Sequence, residues 1–126
     1  MVVLDTSALI FWTLDQDRLS ANAQSALLQK QQKVISAISI WEIGLKSKQG
    51  KLSIPMSIQD YAAQLNQVDG FEILPVDTKT WLKNLELDWD HKDPADRTIV
   101  ATASLLECPL ITSDNKMRSF YAQTIW

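Results

Sequence analysis

The chain has 126 residues, of which 46% are hydrophobic and 21% charged, with a formal net charge of −3 and a pI near 5.0. That balance excludes a disordered chain and fits one domain, 1–126, with a single core. It also argues against a protein that grips nucleic acid by bulk positive charge.

No apolar run approaches the roughly 20 residues that span a bilayer, and no basic segment precedes the N-terminal apolar stretch. A soluble, cytoplasmic protein is therefore expected. Cys108 is the only cysteine, so no disulfide framework or Cys-based metal knuckle is available, and its expected role is packing.

Val2-Val3-Leu4 reads as a buried strand that ends in Asp5, and Thr6-Ser7 leads into a short helix over 6–14. Asp17-Arg18-Leu19-Ser20 offers a turn, with Ser20 capping a helix through about Gln31 on which Ala23, Ala26, Leu27 and Gln31 share a side. Lys33 to Ala37 reads as the second strand, followed by an apolar helix from about Ser39 to Gln49 that stops at Gly50. Ser57 caps a helix to about Val68, and Phe71 to Val76 is the third strand. Asp77 or Thr78 then caps a helix through about Leu87.

After a loop from Asp88 to Lys92, Asp93-Pro94 opens a long helix to about Glu107, with proline in the first helical position where its missing N–H does no harm. Pro109 to Thr112 is the fourth strand, a short helical stretch covers about Lys116 to Tyr121, and Thr124-Ile125 forms a last strand. Strands separated by helices indicate parallel βαβ units. The expected fold class is α/β, a three-layer α/β/α sandwich around a mostly parallel sheet.

Asp5 and Asp114 both follow apolar strands and so fall on one edge of that sheet, the carboxyl edge where ligands bind in open α/β folds. Taken alone, Asp114-Asn115 reads as no more than a turn signal. Glu42 lies among Ile38, Ile40, Trp41, Ile43 and Leu45. An uncompensated buried carboxylate there is costly, so a functional role competes with an exposed pair to Lys46, worth roughly 0.2–0.5 kcal/mol. Asp93 and Asp96 are accounted for locally as N-cap and first-turn acid, yet the same geometry aims Asp96 at the carboxyl edge. If Asp5, Glu42, Asp96 and Asp114 converge, they cannot all stay ionised without a cation. All-oxygen ligation with one histidine points to Mg²⁺ or Mn²⁺ and away from zinc, a setting suited to a phosphodiester and an attacking water.

Four segments in order, Leu4-Asp5-Thr6-Ser7-Ala8-Leu9, Ser36 to Ile43 with Lys46 and Gly50-Lys51-Leu52, His91-Lys92-Asp93-Pro94-Ala95-Asp96-Arg97, and Leu110 to Asp114, resemble the successive motifs of PIN-domain ribonucleases. The likeness is strongest to VapC toxins of bacterial toxin–antitoxin pairs and covers essentially the whole chain. It implies four metal-binding acids, carried over by position to Asp5, Glu42, Asp96 and Asp114, with Thr112 assisting and Asp93 and Thr6 nearby. It further implies metal-assisted hydrolysis of transfer or ribosomal RNA, a homodimer, and inhibition by a VapB-like antitoxin; attack by a metal-activated water is expected to leave 5′-phosphate and 3′-hydroxyl ends. Ala95 departs from the family's usual aromatic residue, which is expected to loosen packing more than chemistry.

Arg97 most simply pairs with a nearby acid, with a substrate phosphate as the alternative. His91 is expected to make a structural hydrogen bond, since one histidine is not a metal site. Lys46, Lys48 and Lys51 read either as a positive rim for RNA or as a solvated helix end, and Lys116 and Arg118 form a second basic pair. The five tryptophans, at 12, 41, 81, 89 and 126, are mostly core or interface candidates. A haloacid-dehalogenase-like phosphatase would need a second aspartate where Ser7 stands, and a response-regulator receiver an early acidic pair and a late lysine. The rival reading from another class is a PIN-like domain that binds RNA or a protein without cutting.

Overall fold

In the computed structural model, which describes residues 1–29 and 32–126, Val2–Leu4 forms β1 with all three side chains buried. β2 (Lys33–Ser36) and β4 (Leu110–Ile111) flank it, with β3 (Phe71–Leu74) beyond β2 and β5 (Thr124–Ile125) beyond β4. Every pairing is parallel, with Val3 level with both Val34 and Leu110. Parallel neighbours need crossovers, and helices supply them: α1 (Thr6–Leu14), α2 (Ala21–Gln29), α3 (Ala37–Lys48), α4 (Ile58–Leu65), α5 (Thr78–Glu86), α6 (Pro94–Leu106) and α7 (Asn115–Phe120).

The two-residue period of the strands divides the core. Val2, Leu4, Ile35 and Ile111 pack with Ala8 and Leu9 of α1, Ala23 and Leu27 of α2, Ile43 of α3, and Tyr61 and Leu65 of α4. Val3, Val34 and Leu110 pack with Ile99, Val100 and Ala103 of α6, Met117 of α7 and the buried Cys108. The sheet thus lies between two helical layers, as the strand–helix alternation predicts. Among the described residues no helix is long and apolar enough to cross a membrane.

Several boundaries differ from expectation for local reasons. α3 starts two residues early because the Ser36 hydroxyl accepts the Ile38 N–H at 3.2 Å and caps it. Gly50, at φ 71°, supplies the left-handed residue after its end. β3 stops at Leu74 because Pro75 has no N–H for the ladder. α4 ends at Leu65, short of Val68, and α7 covers Asn115–Phe120, one residue ahead of the expected span. Two-residue β4 is shorter than expected, although Pro109 accepts from Val3 N–H and Thr112 N–H donates to Ile125 across the same ladders. The turn before α2 is a 3-10 turn at Gln16–Arg18. The helix end expected at Gln31 lies outside the described residues.

Arg97 fixes the loop between α5 and α6. Its guanidinium donates to the carbonyls of Asn84 (2.6 Å), Leu87 (3.0 Å), Trp89 (2.5 Å) and His91 (3.1 Å), and to the Asn84 side-chain oxygen (3.2 Å). The expected acid partner is absent: among the described residues Arg97 makes no ion pair. The Asn84 and Leu87 carbonyls at the end of α5 also accept the Leu87 and Trp89 N–H groups, and a cation at a helix C-terminus answers their remaining lone pairs and the helix dipole. Arg97→Ala should therefore cost about 3 kcal/mol or more in urea unfolding, because four carbonyls and the Asn84 side-chain oxygen lose a charge-assisted donor together. Arg97→Lys should recover only part of this, since an ammonium cannot reproduce the planar fork. A loss under about 1 kcal/mol would contradict this role.

Candidate active site

The carboxyl ends of β1 and β4 adjoin, and Asp5 joins them. Its backbone N–H donates to Ile111, its Oδ1 accepts the Ala8 N–H at 2.7 Å as the N-cap of α1, and its Oδ2 accepts the Thr112 hydroxyl at 2.5 Å. Thr112 Oγ1 in turn accepts the Asp114 N–H at 3.0 Å, and Asp114 caps α7 through the Met117 N–H at 3.0 Å. Asp114 thus lies at the shared edge as a helix cap, where the sequence taken alone suggests a turn. Asp93 caps α6 by accepting the Asp96 N–H, and Asp96 is left to face the edge, where its Oδ2 shares a 2.7 Å hydrogen bond with His91 Nε2.

Glu42 reaches the same place from α3. Its Oε1 accepts the Thr6 hydroxyl at 2.5 Å, its Oε2 stands 3.8 Å from Lys46 Nζ, and the buried Ser39 hydroxyl lies 2.9 Å from that of Thr6. The half-buried carboxylate and the one-turn pair with Lys46 therefore occur together. Asp5, Glu42, Asp93, Asp96 and Asp114 line one pocket of about 260 Å³ with Thr6, Ser7, Lys46 and Ser113. All four acids singled out in the sequence meet there, with Asp93 and Thr6 beside them.

Thr112 does not line the pocket: it is fully buried beneath Asp5 and holds that carboxylate and the backbone of Asp114. Ser7 and Ser113 escaped the sequence reading because a serine beside an aspartate carries no distinguishing pattern. Ser39 could have been found as a polar residue one turn before Glu42 on an otherwise apolar helix face. Ala95 is buried in the first turn of α6. Trp12 stacks on Phe71 and Trp89 on Phe120, whereas Trp41 and Trp81 are 56% and 43% exposed.

Crowding shows in the acidities. Burial pushes the Asp5 carboxyl up to about 6, with the Asp96 and Asp114 carboxylates adding to the rise and the Thr112 and Ala8 donors opposing it. Asp96 is also raised, first by burial and then by Asp93, Asp114 and Glu42, against the lowering effect of His91. Among the described residues no three His, Cys, Asp or Glu side chains are arranged to hold a metal ion, because each carboxylate is turned onto an internal donor. The donor chemistry nonetheless fits a hard divalent cation. The pocket is lined by carboxylate and hydroxyl oxygens, and Asp96 and Asp114 each use only one oxygen in those internal bonds.

A carboxyl whose folded pKa is raised favours the protonated fold, so its contribution to stability is present below the unfolded pKa and is lost as pH rises through the folded value. For Asp5 that window runs from the usual 3.8 to about 6, and at 1.36 kcal/mol per unit the loss amounts to roughly 3 kcal/mol. In EDTA, Asp5→Asn should be more stable than the parent at pH about 7.5 by up to that amount, with the gap closing near pH about 4. Equal destabilisation at both pH values in urea unfolding would contradict the burial of an ionised Asp5.

Known proteins resemble the chain throughout. It is 29% identical over 119 residues to Ribonuclease VapC22 of Mycobacterium tuberculosis, covering 94% of this chain and 90% of that protein. A toxin–antitoxin complex from Klebsiella pneumoniae contains a chain with the same fold (TM-score 0.70, 22% identity, 100% of this chain and 97% of that one). So does VapBC2 from Rickettsia felis bound to a DNA fragment from its promoter (TM-score 0.70, 14% identity, both chains covered in full). The PIN domain family model matches residues 2–123, and the chain belongs to the PIN domain family.

Proposed function

We propose that this chain is a divalent-metal-dependent endoribonuclease and acts as the toxin of a toxin–antitoxin pair. The observation that carries the reading is the convergence of Asp5, Glu42, Asp96 and Asp114 on one pocket at the carboxyl edge. The similarity to a VapC ribonuclease supports RNA as the substrate, with transfer or ribosomal RNA in the cytoplasm the expected class. The structural likeness to chains of toxin–antitoxin complexes supports a VapB-like antitoxin as partner, and a homodimer is expected by the family resemblance.

Asp5, Glu42, Asp96 and Asp114 would hold Mg²⁺ or Mn²⁺. A bound divalent cation supplies Lewis-acid polarisation of the phosphodiester and eases deprotonation of water. The remaining work belongs to side chains of this protein. Thr112 orients Asp5 from below, and Thr6, backed by Ser39, orients Glu42. His91 holds one oxygen of Asp96 and leaves the other toward the pocket. Lys46 is the cation on the pocket wall and is suited to meet a non-bridging phosphate oxygen, since its 3.8 Å approach to Glu42 is longer than a hydrogen bond.

Incubated with total bacterial RNA, the purified protein should cut at one or a few sites in Mg²⁺ or Mn²⁺ and not in EDTA. Asp96→Asn should lower the rate by roughly a hundredfold or more, because metal-held charge stabilisation is worth several kcal/mol and each 1.36 kcal/mol is tenfold. No cutting in any metal by folded protein free of antitoxin would overturn the enzyme and favour a domain that only binds. Thr112→Val should fold with β1 and β4 in place and yet cut more slowly, since Asp5 loses its lower anchor. A Thr112→Val protein with parental kcat would remove that residue from the site.

A further inference from the structure

Beside the carboxylate pocket lies a second depression, a groove of about 640 Å³ between the Trp89–Asp93 loop and the Asn115, Lys116 and Ser119 face of α7. We propose that this groove is a subsite for the RNA strand flanking the cleaved phosphodiester, in which Lys92 and Lys116 hold the phosphate backbone and no base is read. The proposal rests on the nuclease reading and deepens it by giving the strand a path.

The groove and the pocket share Asp93, and His91, which lines the groove, is bonded to Asp96 in the pocket. A strand with a phosphate at the carboxylates therefore meets the groove next. Charge favours the same path. The pocket holds five acids and one lysine, whereas the groove sets Lys92 and Lys116 against Asp90 and Asp93. Both lysines are exposed and neither is in an ion pair among the described residues. An acidic protein that binds RNA needs such local cations, because its overall field repels the polymer.

The wall of the groove is stiff and offers little to a base. The Trp89 ring is already stacked on Phe120, with centroids 4.7 Å apart, and packs against His91 at 4.8 Å, which removes it as a stacking platform of the kind single strands use. The Ser119 hydroxyl donates its one proton to the Asn115 carbonyl at 2.8 Å, so it offers a base no donor. Arg97 holds the carbonyls of Trp89 and His91, so the loop carrying Lys92 is fixed relative to Asp96. Contacts of this kind set register along the strand and carry no sequence information.

The test uses full-length protein bearing Asp5→Asn and two labelled single-stranded RNA oligonucleotides of unrelated sequence, titrated in Mg²⁺ over a range of KCl. Lys92→Ala/Lys116→Ala should weaken binding of both RNAs equally and reduce the salt slope of log Kd by about 1.4, at ~0.7 per lost phosphate contact on a single strand. The same charge change on α5, Lys79→Ala/Lys83→Ala, should leave affinity near the parent value, and Lys92→Arg/Lys116→Arg should restore the slope. In the cleavage-competent protein the groove variant should raise KM and leave kcat unchanged. Unchanged affinity and slope in a protein that still cuts RNA would overturn the groove alone, as would loss of one sequence only, or loss confined to binding of a protein partner. A parent that neither cuts nor binds RNA would overturn the nuclease reading itself.

Discussion

Five carboxylates around one small pocket repel one another, and the fold exists because each is met by a donor. Asp5, Asp93 and Asp114 sit at the N-caps of α1, α6 and α7, where backbone N–H groups and the helix dipole favour negative charge. Glu42 is answered by the Thr6 hydroxyl and by Lys46, and Asp96 by His91. The sheet makes this possible: in an all-parallel arrangement every strand delivers its following helix start to the same edge. The compensation is incomplete: burial first, and the neighbouring carboxylates after it, raise the pKa values of Asp5 and Asp96. That residual repulsion is what a divalent cation would relieve, and it ties the proposed metal dependence to the geometry of the fold.

Support extends outward in layers. Thr112, at 0% exposure, fixes Asp5 from inside the core, while Ser39, also at 0%, backs Thr6. On the other side Arg97 binds four carbonyls, from Asn84 in α5 through Leu87 and Trp89 to His91, and thereby sets His91 against Asp96. A half-buried guanidinium among neutral carbonyls is a strong anchor because each charge-assisted bond outweighs a neutral one. Rigid surroundings of this kind are what a site needs if its oxygens are to meet a cation in fixed geometry.

Much of this was legible in the chain. The strand-then-acid pattern at Asp5 and Asp114, the Asp-Pro opening of α6 and the misplaced acid at Glu42 are local signals, and local signals survive without knowledge of the fold. The boundaries that moved did so through single atoms, the Ser36 hydroxyl and the missing N–H of Pro75. The role of Arg97 leaves no mark in the sequence, because its acceptors are mostly backbone carbonyls, which every residue carries. The groove was invisible for a different reason: Lys92 and Lys116 are 24 residues apart in sequence and become neighbours only when the sheet places α7 beside the loop before α6.

The most direct test of the central claim is the melting temperature of the protein, without RNA or partner, as Mn²⁺ is raised through the millimolar range at neutral pH. If the carboxylates share a cation, Mn²⁺ should raise the melting temperature progressively, by preferential binding to the folded state, and Asp114→Asn should flatten the response. A melting temperature indifferent to Mn²⁺, or one raised equally in Asp114→Asn, would contradict a metal held by these acids.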